Sequence, residues 1–521
     1  MTESTTIAAP EKVPAEPEAT AAGSESRTAG LRRAVIGIER RFGSAAVVFL
    51  LVAGVFGAVW SVLTPPFWGH DEITQFGRAY QVAHGGFLPE KIHDDRGPAW
   101  GGDIPVSIDA LMSYAFHNYN DHPDEPEPMV VDPNAYDQLA AAAVSDETKQ
   151  LWFTNTAAYS PIPYLPQAAG IRIAEAFGLS VGGMALATRW AGLLAYLMIV
   201  GFALRTLRGH RVQWLAFTVA VLPIALFQAG TVTADTVTNA LALLVSALVV
   251  KGLFLGERLS KPETVAALAA TVLLPVCKPT YVLIAMLTVL IPARRLGFGD
   301  GERVAAWQRV LPWAAAGLGA VSFAVWMKIA APTGDGMSLM RKEEHWGTVR
   351  PGDQLHGIVT DPFHFLRVFG DSIARRDQHW FTQFFGELGF SYVEVPALTI
   401  LAALLAFGMS LGAAERFSPG GADRKRTWLV LLTIAASVAM IYVTLYMSFT
   451  PVGYFIIDGV QGRYFVPLAV LGLAVLLRLV PLRLADAAGR VPARAAAFTV
   501  VAATSVALIA AVVKYSTIVW G

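Results

Sequence analysis

The stretch PPFWGHDEITQFGRAYQVAHGG, residues 65–86, sets ionisable side chains among glycines. Gly69 precedes a helix-like pattern that Gly85 and Gly86 close, so Asp71 and Glu72 fall in the first turn. There the helix dipole favours an ionised carboxylate. Such a group can orient or deprotonate a hydroxyl, or hold a divalent cation through oxygen. Asp71 and Glu72 are therefore the candidate catalytic pair, and Asp71 is the candidate ligand for Mg²⁺ or Mn²⁺. Helical spacing places Asp71, Gln75, Arg78 and Val82 on one face. The plain alternative is a solvated helix start with ordinary N-terminal acids.

Four further segments carry polar groups where apolar residues dominate. Arg189 lies inside an apolar run, Asp235 opens another in TVTADTVTN, Lys278 precedes Pro279, and Gln461 and Arg463 sit in GVQGRYF. A charge near hydrocarbon is costly and faces a cavity or a partner. Arg suits bidentate phosphate binding, and the glycines near Arg463 would let the backbone approach a ligand. The alternatives are snorkelling for Arg189 and Lys278, a helix cap for Asp235 and an interfacial anchor for Arg463. In RRDQHWFTQFFGELGFSYVEVP, Trp and Phe surround His379, Gln383 and Glu387. Aromatic faces beside polar groups can stack on sugar rings, although a membrane-interface belt has the same composition.

Absent motifs narrow the chemistry. The sequence has no Walker A motif, no GxGxxG opening a helix after a strand, no HExxH and no GxSxG elbow joining a strand to a helix. A nucleotide donor and an elbow-type serine hydrolase are therefore disfavoured. The single cysteine, Cys277, excludes an intrachain disulfide or a cysteine-rich zinc site.

These residues need a scaffold, and composition indicates which kind. Of 521 residues, 54% are hydrophobic and 15% charged. Soluble domains carry about 25% charged residues. Apolar runs of about twenty residues recur, the length that spans a bilayer. The expected spans are 44–63, 181–204, 212–230, 236–254, 263–277, 280–293, 309–331, 394–414, 427–449, 464–480 and 494–514, giving an all-α polytopic protein of about 11 transmembrane helices. Residues 1–43 read as a disordered cytoplasmic tail with a basic flank, and 44–521 as one membrane domain with extracytoplasmic loop regions at 64–180 and 332–393.

Charge fixes the expected orientation. The 40 basic and 40 acidic residues cancel, which removes any expectation of nucleic-acid binding. Residues 64–160 nevertheless hold fifteen Asp and Glu against four Lys and Arg. Arg32, Arg33, Arg40 and Arg41 precede the first apolar run, so the N-terminus is expected in the cytoplasm and the acidic loop outside. Alternation then puts the basic connections at RTLRGHR, 251–261, ARR, 415–426 and 478–494 inside. The segment 161–177, with three prolines, Arg172 and Glu175, is expected to lie flat at the outer interface. The separate acids and bases then meet at the outer end.

A first span, an outer loop opening with Asp-Glu, YSPIPYLP, Arg189 in the next span and Asp235 two spans later resemble the GT-C superfamily of membrane glycosyltransferases. Together PPFWGHDEITQFGRAYQVAHGG, YSPIPYLPQAAGIRIA, KPTY, FFGELGF and GVQGRYFVP resemble the bacterial family called domain of unknown function 2142. The superfamily resemblance implies transfer of a sugar from a polyprenyl-phosphate donor to an envelope glycan or other extracytoplasmic acceptor at the plasma membrane. Asp71 matches the first-loop acid that serves as base or metal ligand, with Glu72 its neighbour. Arg189, Lys278 and Arg463 become candidate phosphate contacts, and Arg78, Tyr159, Tyr164, Asp235, Tyr281, Gln383, Gln461 and Tyr464 further substrate contacts. The competing classes are a lipid or polysaccharide transporter and a non-catalytic envelope scaffold.

Overall fold

The computed structural model describes residues 41–120, 128–298, 304–390, 392–415, 423–480 and 492–521, with Gly37, Glu39 and Phe417. The expected disordered tail, and with it Arg32, Arg33 and Arg40, lies outside the described residues.

The chain is an all-α membrane protein. Seven helices among the described residues are long and apolar enough to cross a bilayer: Ser44–Leu63, Val181–Thr206, Asp235–Leu255, Ala306–Met340, Arg424–Ser448, Gly462–Leu479 and Ala493–Trp520. The expected eleven are not met on length. The 212–230 run is interrupted into Gln213–Ala220 and Pro223–Ala229, because Pro223 has no amide to continue the ladder. Lys261–Cys277 and Ala397–Ala413 have 17 residues each, and Pro279–Leu290 is a chain of short helical turns.

The Asp235–Leu255 helix is the axis of the bundle. Its apolar window is 94% buried, against 22% for Ala306–Met340 and Arg424–Ser448. An all-round apolar helix is stable only when enclosed. Val181–Thr206, Lys261–Cys277 and the helix Val466–Leu479 enclose this one.

The expected basic connections do converge at one end. Arg208 donates to the Arg41 carbonyl at 2.9 Å, and His210 bridges Glu257 at 2.8 Å and Glu415 at 2.9 Å. Arg189 and Asp235 each lie sixteen residues before Arg205 and Lys251 on their helices, about 24 Å away at 1.5 Å per residue. Candidate chemistry and basic connections thus occupy opposite ends.

Residues 64–180 hold what the all-α expectation omitted, a three-stranded antiparallel sheet with Ala99–Pro105 between Glu90–Ile92 and Thr148–Trp152. A two-stranded pairing of Glu387–Leu388 with Val393–Glu394 follows in the second loop region. The Leu165–Ala176 helix has 12 residues, about 18 Å of rise, too short to cross. It packs on Glu72–Ala83 and Val181–Thr206 instead, buttressing the motif helix.

Candidate functional site

The adjacent carboxylates of the HDE motif go to different places. Glu72 is buried and its two oxygens accept from Arg189 Nε at 2.7 Å and Nη2 at 2.6 Å, from Val232 N at 2.9 Å and from Gly69 N at 2.8 Å. The remaining Arg189 hydrogens reach the carbonyls of Ser61, Thr64 and Pro65. All five guanidinium donors are therefore used. This lock ties off the end of the Ser44–Leu63 helix and bends the chain behind it. Phe67 and Asp71 adopt φ of 69° and 53°, the only non-glycine residues with positive φ among those described. Such a conformation costs roughly 1–2 kcal/mol for an L-residue, with Asp among the more tolerant types. The turn it creates turns Asp71 away from the lock.

Asp71 faces a cavity of about 780 Å³. Its carboxylate, 29% exposed, lies 3.4 Å from Arg463 Nη2. Arg463 lies 3.8 Å from Asp235 through Nε, and Asp235 accepts from Lys278 Nζ at 2.6 Å and from Gln228 at 2.9 Å. Two acids and two bases thus alternate along one wall. Pro279 positions Lys278: it drives the preceding residue out of helical space, to φ −150° and ψ 119°, and ends the Lys261–Cys277 helix there. Lys278 Nζ also sits 4.3 Å from the Tyr464 ring centroid. Asp235 is not a cap. Its helix has Ala234 at that position, with no side-chain capping bond.

Arg463 differs from Arg189 in being unsaturated. Its side chain is 7% exposed, yet among the described residues Nε and Nη1 have no hydrogen-bond acceptor, and the neighbouring Gln461 Oε1 has no donor. Buried donors of this kind are otherwise satisfied. Of the nearby glycines, Gly459 lines the cavity and Gly462 serves packing. A Cβ on Gly462 would meet the Trp380 carbonyl at 2.1 Å, so glycine alone lets this segment lie against the helix Pro362–Phe385. Gly462 N donates to Gln383 Oε1 at 2.8 Å, and Trp380 Nε1 donates to the Val460 carbonyl at 2.9 Å.

Of the sequence-derived candidates, Asp71, Tyr159, Asp235, Lys278, Gln383, Gln461, Arg463 and Tyr464 line this cavity. Glu72, Arg78, Tyr164, Arg189 and Tyr281 do not. Neither Arg189 nor Lys278 snorkels, since both are buried and paired. Arg78 spends its guanidinium on the carbonyls of Tyr159, Gly86 and Phe87 and on Gln81, closing the far end of the motif helix. The face shared by Asp71 and Gln75 does not extend to it. Tyr164 donates to Gln75 Oε1 at 2.5 Å and Tyr281 to the Tyr464 carbonyl at 2.9 Å, so both hydroxyls brace lining residues from behind.

The cavity also contains Asn155, Arg376, His379, Glu387 and Asp458. Residues 376, 379, 380, 383 and 387 recur at intervals of one helical turn, a signal present in the sequence for Arg376 as well. Asn155 and Asp458 carried none. Burial raises the Glu387 carboxyl above its usual range, while a hydrogen bond from Gln383 opposes that. Burial first, and Arg463 second, hold His70 well below the ordinary imidazole value, so it is neutral and packs edge-on against Phe227.

No group of three His, Cys, Asp or Glu side chains among the described residues could hold a metal ion. Asp71 offers one carboxylate with the Arg463 cation beside it, which does not make a protein cage for Mg²⁺ or Mn²⁺. The arrangement can instead receive an anion on Arg463 and Lys278 while Asp71 accepts a proton.

No curated protein and no solved structure matches the chain. Residues 55–472 match the model of the family described as "Predicted membrane protein (DUF2142)", and with most of its length covered the chain belongs to that family.

Proposed function

We propose that the protein is a membrane glycosyltransferase of GT-C type that moves a sugar from a polyprenyl-phosphate carrier to an envelope glycan or other extracytoplasmic acceptor. The observation that carries this reading is Arg463, a buried guanidinium with two unpaired N–H-bearing nitrogens on the wall of a cavity that also contains Lys278 and the part-exposed Asp71. A guanidinium fork and an ammonium match a phosphate leaving group, and the burial of both side chains strengthens their attraction for it.

In this reading the acceptor hydroxyl approaches Asp71, its oxygen attacks the anomeric carbon, and its proton passes to the carboxylate. The bond between that carbon and the carrier phosphate breaks, and the electron pair leaves on the phosphate held by Arg463 and Lys278. Asp235 holds Lys278 in place. Asp71 would be the residue to hold a divalent ion, which would supply positive charge at the carrier phosphate. The proposed setting is the plasma membrane, with the N-terminus cytoplasmic and the cavity outside.

A transporter reading expects its charges at mid-depth or on separate faces. Asp235, Lys278 and Arg463 form one connected network at a helix end, which favours the enzyme. The test compares envelope glycans of a deletion strain complemented with the natural chain or with Asp71→Asn. The natural chain restores the missing sugar and the variant, inserted at equal abundance, does not. Restoration by both removes Asp71 from the chemistry, and glycan binding without turnover by the natural chain supports the scaffold.

A further inference from the structure

A second cavity of about 540 Å³ lies at the opposite end of the bundle, where the basic connections meet. Its walls hold Arg205 from the last turn of Val181–Thr206, Arg208 just beyond it, Lys251 from the end of the Asp235–Leu255 span and Arg258. One carboxylate faces them, Glu263, and it is bound by Lys251 at 2.8 and 3.0 Å and by Ser260 N at 2.7 Å within a helix-capping box. Among the described residues, four basic side chains thus line the cavity against one carboxylate, and Arg258 also donates to the Leu296 carbonyl at 3.3 Å. Two sequence-distant connections bring these side chains together, and among the described residues Arg205 and Arg208 are only partly engaged, each by one hydrogen bond to the Arg41 carbonyl, with Arg205 also 5.8 Å from the Phe42 ring centroid. Like charges gathered in a concave site repel unless an anion joins them.

Phe202, Leu259 and Pro262 supply apolar wall beside the cations. The position is the end of two membrane spans, the level of lipid headgroups. The volume exceeds that of a bare phosphate and falls in the range of small-ligand sites.

We infer that this cavity binds a phosphate-bearing anion, with the headgroup of an anionic phospholipid as the ligand its position and apolar wall fit best. The site is independent of the glycosyltransferase reading and of the Asp71 cavity. Arg205 and Arg208 take the phosphate oxygens, Arg258 closes the rim, and Lys251 stays committed to Glu263. Basic pockets between helices capture acidic headgroups in this way.

The experiment uses the full chain purified in detergent and titrated separately with phosphatidylglycerol, phosphatidylcholine and inorganic phosphate, with binding read by native mass spectrometry. The expected result is at least a tenfold preference for phosphatidylglycerol over phosphatidylcholine. That preference is lost in the Arg205→Gln/Arg208→Gln variant and largely kept in Arg205→Lys/Arg208→Lys, with melting temperatures compared for all three proteins. Inorganic phosphate binding as tightly as the lipid, with the same sensitivity to the glutamine variant, identifies a soluble phosphate as the ligand and keeps the site. No preference in the natural chain, or an undiminished preference in a folded glutamine variant, overturns it. Should the glutamine variant fail to fold, Arg258→Gln alone takes its place, with the same readings.

Discussion

Glu72–Arg189 and Asp71–Arg463 are two acid–arginine pairs whose acids are neighbours in sequence, and they differ in saturation. In the first, every guanidinium hydrogen has an acceptor and the carboxylate takes four donors at 2.6–2.9 Å. In the second, the contact stretches to 3.4 Å and two guanidinium nitrogens have no hydrogen-bond acceptor among the described residues. A saturated buried pair has no capacity left for a ligand, so its role is to hold the turn. An unsaturated one keeps donors for something that arrives. The lesson extends to Arg78, which is saturated by carbonyls and likewise turned from the cavity.

The contrast yields predictions of decreasing size. Removing one side of the saturated pair strands a buried charge, so Glu72→Ala or Arg189→Met is expected to cost about 3–5 kcal/mol. Thermal denaturation in detergent should show that loss as a collapse in melting temperature and in membrane abundance. Normal stability of either variant would erase the distinction between the two pairs.

Asp71→Asn should do the reverse. Asn tolerates the left-handed backbone that Asp71 adopts, so stability should stay within about 0.5 kcal/mol of the natural protein. Loss of the general base should lower the transfer rate by about 10²–10⁴-fold. Rate assays with a purified lipid-linked donor, run beside melting curves, separate the two effects.

For Arg463→Lys the charge remains and the planar fork does not. The expected outcome is a rise of about tenfold in KM for the donor, an estimate that follows from losing one charge-assisted bond. A fall in kcat with unchanged KM would instead put Arg463 to work on the transition state alone.

The smallest effect belongs to His210, a half-buried relative of the saturated clamps. A hydrogen bond donated to Glu415, then the charges of Glu257 and Glu415, raise its pKa against the opposing effect of partial burial. Its stabilisation is complete below the unfolded value of about 6.5 and disappears as pH climbs through the higher folded value. Because the site is partly solvated, less than about 1 kcal/mol is at stake. Melting temperature should therefore decline above about pH 6.5 in the natural chain, and His210→Gln should flatten that slope.

Much of the architecture could be read from local composition. Long apolar runs identified the membrane class, and loop charge anticipated which connections would share an end, because both depend on residues close together in the chain. The short sheet in residues 64–180 escaped, since Ala99–Pro105 has glycines and an aspartate where alternation would show. Span count escaped for a related reason: Pro223 and Pro279 interrupt runs whose hydropathy alone is sufficient.

For the cavity, residue type and depth were enough to nominate Asp71, Asp235, Lys278 and Arg463, because a charge in an apolar setting is costly wherever it is found. What no local pattern could assign was which of two consecutive carboxylates would be consumed by the scaffold. Glu72 is consumed because an arginine 117 residues away, itself held by three carbonyls at the end of the first span, closes on it, while Asp71, one residue earlier, is rotated into the cavity by the turn that closure imposes. Availability for chemistry is set by whether distant partners have already filled a group's hydrogen bonds, and those partners are brought near only by packing.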